Sequence, residues 1–137
     1  MPQPPNPAGY SGTPLPRKLG IKEGSRVALL DAPRGFRKTL GKLPAGAKLG
    51  ASTQDTTLTL WFTRSRAALT RGMRQAAKLA AQGTVWILWP KQASGVATDL
   101  KEGIVREAGL AAGLVDYKVC AVDATWSALA FARRKRD

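Results

Sequence analysis

Trp86-Ile87-Leu88-Trp89-Pro90-Lys91-Gln92-Ala93-Ser94-Gly95-Val96-Ala97-Thr98-Asp99-Leu100 decides how the chain folds. An unbroken apolar run stops at a proline, and a short loop of Lys, Ser, Gly and Thr follows. An apolar run of this kind fits a strand buried on both faces, as in a parallel sheet; with Thr84 and Val85 it spans 84–89. Asp99-Leu100-Lys101-Glu102 then has the spacing of a variant capping box, with Asp99 as cap and Glu102 three residues on. It opens a helix running to about Ala112, with Leu100, Ile104, Ala108 and Ala111 facing inward and Gly113 ending it. A buried strand feeding a helix marks the sheet edge where open α/β folds bind ligands.

Outward from this stretch, strand and helix patterns alternate. Arg26–Asp31 reads as a buried strand, broken by Ala32-Pro33-Arg34-Gly35. Pro16–Leu19 suits a short helical turn, and Phe36–Leu43 a short helix or an irregular crossover. Ala47–Ala51 reads as a weak edge strand and Thr56–Thr63, which alternates and is rich in β-formers, as a second strand. Arg64–Gln82 has helical periodicity. Leu69, Met73, Ala76 and Ala80 fall on one side of it, and Arg64, Arg71, Arg74 and Lys78 on the other. Thr63 or Ser65 caps its start, and Gly83 sits where a terminating glycine belongs. Leu114–Val122 and Thr125–Arg133 form an antiparallel hairpin around Asp123-Ala124. This alternation implies an α/β sandwich with a mostly parallel sheet. Residues 1–8 read as a flexible proline-rich tail, 9–134 as a single α/β domain and 135–137 as a basic tail.

Composition bounds the function. The 137 residues include 22 Lys and Arg against nine Asp and Glu, a net charge of +13. Between Ala32 and Thr98 stand eleven basic residues and one acid, Asp55, so this block carries ten of the thirteen net charges. Such segregation points to a polyanion (nucleic acid, an anionic membrane surface or an acidic protein), with a basic but inert surface as the plain alternative. The chain has no histidine, which removes Ser-His and Cys-His catalysis and most zinc sites. Its single cysteine, Cys120, excludes an intramolecular disulfide and lies in an apolar strand pattern, where a thiol acts as a small hydrophobe. No catalytic constellation, metal site or cofactor is expected. No apolar run has the length of a transmembrane helix, and the start of the chain carries no apolar signal core. A cytoplasmic bacterial protein is the expectation, of no predicted oligomeric state.

Gly9-Tyr10-Ser11-Gly12-Thr13-Pro14-Leu15, Lys18-Leu19-Gly20-Ile21, Trp89-Pro90-Lys91, Ala93–Leu100 and Gly113–Asp123 with Thr125-Trp126-Ser127 together resemble an uncharacterised bacterial family known as a domain of unknown function. The resemblance runs from about Gly9 to Arg134 and implies no activity. More remotely, the layout is similar to the second half of class I S-adenosylmethionine-dependent methyltransferases, where a strand, a helix and a terminal antiparallel strand pair occur in this order. That likeness implies a small Rossmann-like sandwich. The cofactor loop departs from the pattern: Asp31-Ala32-Pro33-Arg34-Gly35 has one glycine and a proline, and no acid ends Ala47–Ala51. Fold by itself does not carry function.

Two sets of candidate residues follow. Lys91, Ser94 and Thr98 lie in the loop after the most buried strand, where their donors suit a phosphate or carboxylate; equally, Ser94-Gly95 is a turn and Asp99 a cap. Asp31 and Arg34 follow the first strand. If strands 26–31 and 84–89 run side by side in one direction, these residues face Lys91 and Ser94 across a cleft, suited to a nucleotide-like or other anionic metabolite. The second set is the stripe Arg64, Arg71, Arg74 and Lys78, four cations with no carboxylate at i±4. The basic tail Arg133-Arg134-Lys135-Arg136 adds to it. Trp61, Trp86, Trp89 and Trp126 read as core, and Tyr10, Ser11 and Thr13 as a lid or an ordering contact. The leading expectation is a non-catalytic binding or regulatory domain whose basic face meets nucleic acid or an acidic protein. The rival is a small enzyme or sensor using the cleft.

Overall fold

Unbroken apolar runs put strands in the middle of a sheet, and here they do so twice. The structure, a computed structural model, describes residues 12–135. The 1–8 tail, Tyr10 and Ser11 of the proposed lid, and Arg136 lie outside the described residues. Five-residue β1 (Arg26–Leu30) ends where Asp31 takes a positive φ of 57°. β2 is Lys48–Gly50, β3 Leu58–Phe62, β4 Thr84–Pro90, β5 Leu114–Ala121 and β6 Trp126–Arg133. They form one sheet in the order β2-β1-β3-β4-β6-β5. The first four strands run parallel, and β6 is antiparallel to both β4 and β5. This is the mostly parallel sandwich with a C-terminal hairpin that the sequence implies. Alternation in Thr56–Thr63 suggests one solvated face for β3, yet all five of its residues are buried because both faces are covered.

Helices cover the two faces separately. On one face α1 (Leu15–Lys18) and α2 (Phe36–Leu40) bring Leu19, Ile21, Phe36 and Leu40 onto Val27, Leu60, Phe62, Trp86 and Leu88. The indole N–H of Trp86 donates to the Leu19 carbonyl at 2.8 Å, fixing the exit of α1 to the centre of the sheet. On the other face α3 (Arg66–Leu79) buries Leu69, Met73, Ala76 and Leu79 on Trp61, Val85 and Ile87. Beside it α4 (Glu102–Ala111) buries Val105. Apolar burial of this extent on both sides of a sheet is the main stabilising contribution.

Three local expectations are corrected. α3 starts at Arg66: Ser65 is extended and its Oγ accepts from the Ala68 N–H at 3.1 Å, the geometry of an N-cap. Arg64 therefore precedes the helix and leaves the predicted stripe, while Arg71, Arg74 and Lys78 stay on it. Gly83 does not end α3, which is capped at Ala80. It stands where an added β-carbon would collide with the Thr57 carbonyl, so its role is close approach of two backbones. α4 starts at Glu102 after Lys101, with no side-chain cap, and Asp99 is not its cap. Leu100, Ile104 and Ala108 pack inward as expected and Ala111 does not, while Val105 and Gly109 are the fully buried positions of α4. Leu100 is buried ahead of the helix, Ala108 is half-buried and Ala111 is exposed. Gly109 is required there because a β-carbon would enter the Phe131 ring.

Candidate functional site

The carboxyl ends of β1, β3 and β4 open on one edge, and the loops leaving them carry most of the first set of candidates. β1 and β4 run in the same direction with β3 between them rather than side by side. The order reverses between β1 and β3, the switch point at which α/β sheets form crevices. Arg64 occupies it. Its guanidinium donates to the Asp31 carbonyl at 3.3 Å and lies 5.1 Å from the centre of the Trp126 ring. Trp126 in turn packs edge-on against Phe62, and Phe62 against Phe36. An exposed cation over an aromatic face is worth about 0.5–1 kcal/mol, so this contact orients Arg64 more than it stabilises the fold.

The remaining polar groups at this edge are tied to the chain itself. Lys91 Nζ donates to the Asp123 carbonyl at 2.7 Å, in the turn between β5 and β6 and away from the β1 loop. The Ser94 hydroxyl donates to the Lys91 carbonyl at 2.6 Å and accepts from the Val96 N–H, closing a turn. The Thr98 hydroxyl donates to the Arg64 carbonyl at 2.9 Å and accepts from the Leu100 N–H. Asp99 Oδ1 accepts from the Arg66 N–H at 2.8 Å, so it caps α3 from 33 residues away. With Ser65 on Ala68 and Asp99 on Arg66, two of the donors at the N-terminus of α3 are already satisfied from within. Asp31 and Arg34 are both exposed. Asp31 borders a shallow groove of about 330 Å³ with Leu30, Trp61, Arg71 and Gln75. The turn after β1 leads into the five-residue α2 through Gly35 at φ 83°, without a further glycine to bring backbone N–H groups onto a pyrophosphate.

Asp99 thereby yields a stability test. Asp99→Ala should cost about 1 kcal/mol, the usual loss for a helix cap, whereas Asp99→Asn keeps an acceptor and most of that stability. Urea denaturation of the two variants checks this. Equal stabilities for Ala and Asn would show that the Asp99–Arg66 contact contributes nothing.

The second set of candidates meets the end of β6. Arg74 and Lys78 form one bank of an open groove of about 850 Å³, and Arg133, Arg134 and Lys135 form the other. The floor is Met73, Ala77, Ala81, Ala112 and Leu114, and among the described residues none that lines the groove is acidic. The second bank is held in place: the Arg134 N–H donates to the Gly113 carbonyl at 3.0 Å and its guanidinium to the Leu110 carbonyl at 3.1 Å. Arg71 lines the groove beside Asp31 rather than this one, and Arg64 lies apart at the switch point. By contrast, Arg106 on α4 is paired with Glu102 at 2.7 Å and Asp116 at 2.9 Å, which hold its guanidinium pKa above the ordinary value. Cys120 is buried, and burial pushes its thiol pKa up, which keeps it in the unreactive protonated form. Among the described residues no cluster of acids and cysteine suits a metal ion, and no helix is long and apolar enough to cross a membrane.

Sequence reasoning misses the position of Arg64. The signal is present in Ser65, a strong N-cap that places the preceding residue on the strand exit. It also misses that Asp99 serves α3, which no local pattern reveals.

Comparison with known proteins agrees with this architecture. A family described as protein of unknown function (DUF3052) matches residues 45–135. None of the curated proteins compared matches the chain. Among solved structures, a protein in the NADB-Rossmann superfamily from Streptococcus agalactiae aligns over 96% of this chain and 72% of its own, with a TM-score of 0.54 and 5% identity. An O-methyltransferase (NcsB1) from neocarzinostatin biosynthesis, in complex with S-adenosylmethionine and 2-hydroxy-5-methyl naphthoic acid, aligns over 80% of this chain and 41% of its own, with a TM-score of 0.46 and 14% identity. LepI in complex with S-adenosylmethionine aligns over 89% and 47%, with a TM-score of 0.42 and 14% identity. The first of these likenesses shows a Rossmann-like fold.

Proposed function

This chain belongs to the DUF3052 family, whose function is unknown, and we propose that it is a non-catalytic Rossmann-like binding domain whose basic groove holds a polyanion. The observation that carries this reading is the pairing of two cationic banks, Arg74 and Lys78 against Arg133, Arg134 and Lys135, around a groove with no acid among its described lining residues. Five like charges brought together repel one another, and a protein surface ordinarily interleaves acids among them. An anionic partner removes that repulsion and releases its own counterions. The same reading accounts for the polar side chains at the carboxyl edge. Lys91, Ser94, Thr98 and Asp99 are committed to hydrogen bonds that shape loops and cap α3, which favours a structural role for that edge over a metabolite site.

Binding to heparin and to nucleic acid of arbitrary sequence, followed by fluorescence anisotropy across a salt series, tests this. Neutralisation of about five phosphates gives a slope of log K against log salt near −4, or a loss of several hundredfold between about 50 mM and about 200 mM salt. Absence of binding to every polyanion at the lower salt would overturn the proposal.

A further inference from the structure

Resting on that reading, we infer that the ligand of the groove is double-stranded nucleic acid, held by its phosphate backbone without regard to sequence. Three features of the groove lead there. Its floor consists of Met73, alanines, a glycine and Leu114, with no aromatic ring among the described residues. A single strand must be ordered when it binds, and proteins that bind single strands offset this cost by stacking bases on aromatic side chains. A duplex is ordered beforehand and presents about one charge per 1.7 Å of axis, twice the density of one strand.

Both banks are set on ordered backbone. Arg74 and Lys78 are one turn apart on the fourteen-residue α3, a rise of about 6 Å along its axis. Arg133 ends β6, and Arg134 and Lys135 follow directly beyond it. The spacing on α3 corresponds to about two base-pair steps at 3.4 Å each. Cations carried on set backbone positions suit fixed phosphates, and they gain less from a chain whose phosphates move. Arg134 is anchored on the C-terminus of α4 through the Leu110 and Gly113 carbonyls, which holds the second bank at a set distance from the first. With only apolar side chains and a glycine between the banks among the described residues, the contacts position a backbone but carry no sequence information.

Competition binding separates this inference from the reading beneath it. Labelled duplex DNA of about twenty base pairs is bound to the full chain and displaced by unlabelled duplex, by the same sequence as a single strand, and by heparin. Duplex should displace about tenfold more effectively than the single strand per nucleotide, with scrambled duplexes equal to one another. The double variant R74A/K78A should reduce the salt slope by about 1.8, whereas R17A/K42A, on the opposite face of the sheet, should leave it unchanged. Equal or better displacement by the single strand overturns the duplex inference and leaves polyanion binding standing. Heparin displacing as well as duplex does the same, as does binding to anionic phospholipid vesicles with none to duplex. Failure to bind any of these probes overturns both.

Discussion

Trp86→Ala should destabilise the protein by about 4 kcal/mol, the upper range for truncating a buried aromatic. Trp86 is 1% exposed and sits where α1, α2 and the sheet meet. Its loss removes the ring from the core of that face and, in the same step, a donor to the Leu19 carbonyl, a group on a residue itself 1% exposed. A cavity and a weakened hydrogen bond at a buried carbonyl add to one another. Domains of this size unfold with a total stability of about 5–15 kcal/mol, so the variant should melt about 15 °C lower or fail to fold at expression temperature. Trp86→Phe separates the two causes. It retains most of the ring volume and removes the indole donor, for a cost of about 2 kcal/mol. Thermal and urea denaturation of both variants decide the matter. A cost below about 1 kcal/mol for alanine would mean that the α1 segment contributes nothing to the fold. The contrast also tests how far the domain extends, because α1 precedes residues 45–135, the part matched by the family.

Much of this architecture is legible in the sequence because it depends on local pattern. β4 and β1 are visible as apolar runs, and the β5–β6 hairpin as two strands around Asp123-Ala124; each relies on patterning that burial enforces residue by residue. Ser65 is legible as a cap for the same reason. What is illegible comes from contacts across long separations. Local capping preference assigns Asp99 to the helix that follows it. In the fold its carboxylate reaches the N–H of Arg66, because the 91–101 loop crosses over the start of α3. Arg64 falls into a helical stripe because a wheel drawn through residue 64 has the right angle, yet the helix begins two residues later than the wheel assumes. The edge of the sheet that the strand pattern indicates does carry the carboxyl ends of β1, β3 and β4. Its contents do not follow from pattern, because whether Lys91 is available to a ligand or bonded to the Asp123 carbonyl depends on where the β5–β6 turn lies. The basic groove is half legible: Arg74 and Lys78 of the stripe and the tail from Arg133 are each apparent, and the fold supplies their juxtaposition.

That juxtaposition makes charge reversal on one bank the sharpest functional test. Arg74→Glu with Lys78→Glu should weaken polyanion binding about a hundredfold at about 0.1 M salt. The magnitude follows from counterion release. Each phosphate contact contributes about 0.9 to the salt slope, so over the decade from about 1 M to about 0.1 M salt it is worth nearly tenfold in affinity. Two lost contacts give about sixtyfold, and the introduced carboxylates repel the phosphates still held by Arg133, Arg134 and Lys135. Both residues lie on the side of α3 away from Leu69, Met73 and Ala76, and Glu has nearly the helix propensity of Lys and Arg, so the melting temperature should change by no more than about 2 °C. The reversal should moreover relieve the repulsion between the banks, so the fold is under no threat from the variant. Exchanging the two cations instead, with Arg74→Lys and Lys78→Arg, should leave the salt slope at that of the parent, since point charges rather than a bidentate geometry are at work. A double reversal that leaves affinity within about threefold of the parent at low salt would place the polyanion elsewhere on this strongly basic surface, and the groove between α3 and β6 would then be without a role in binding.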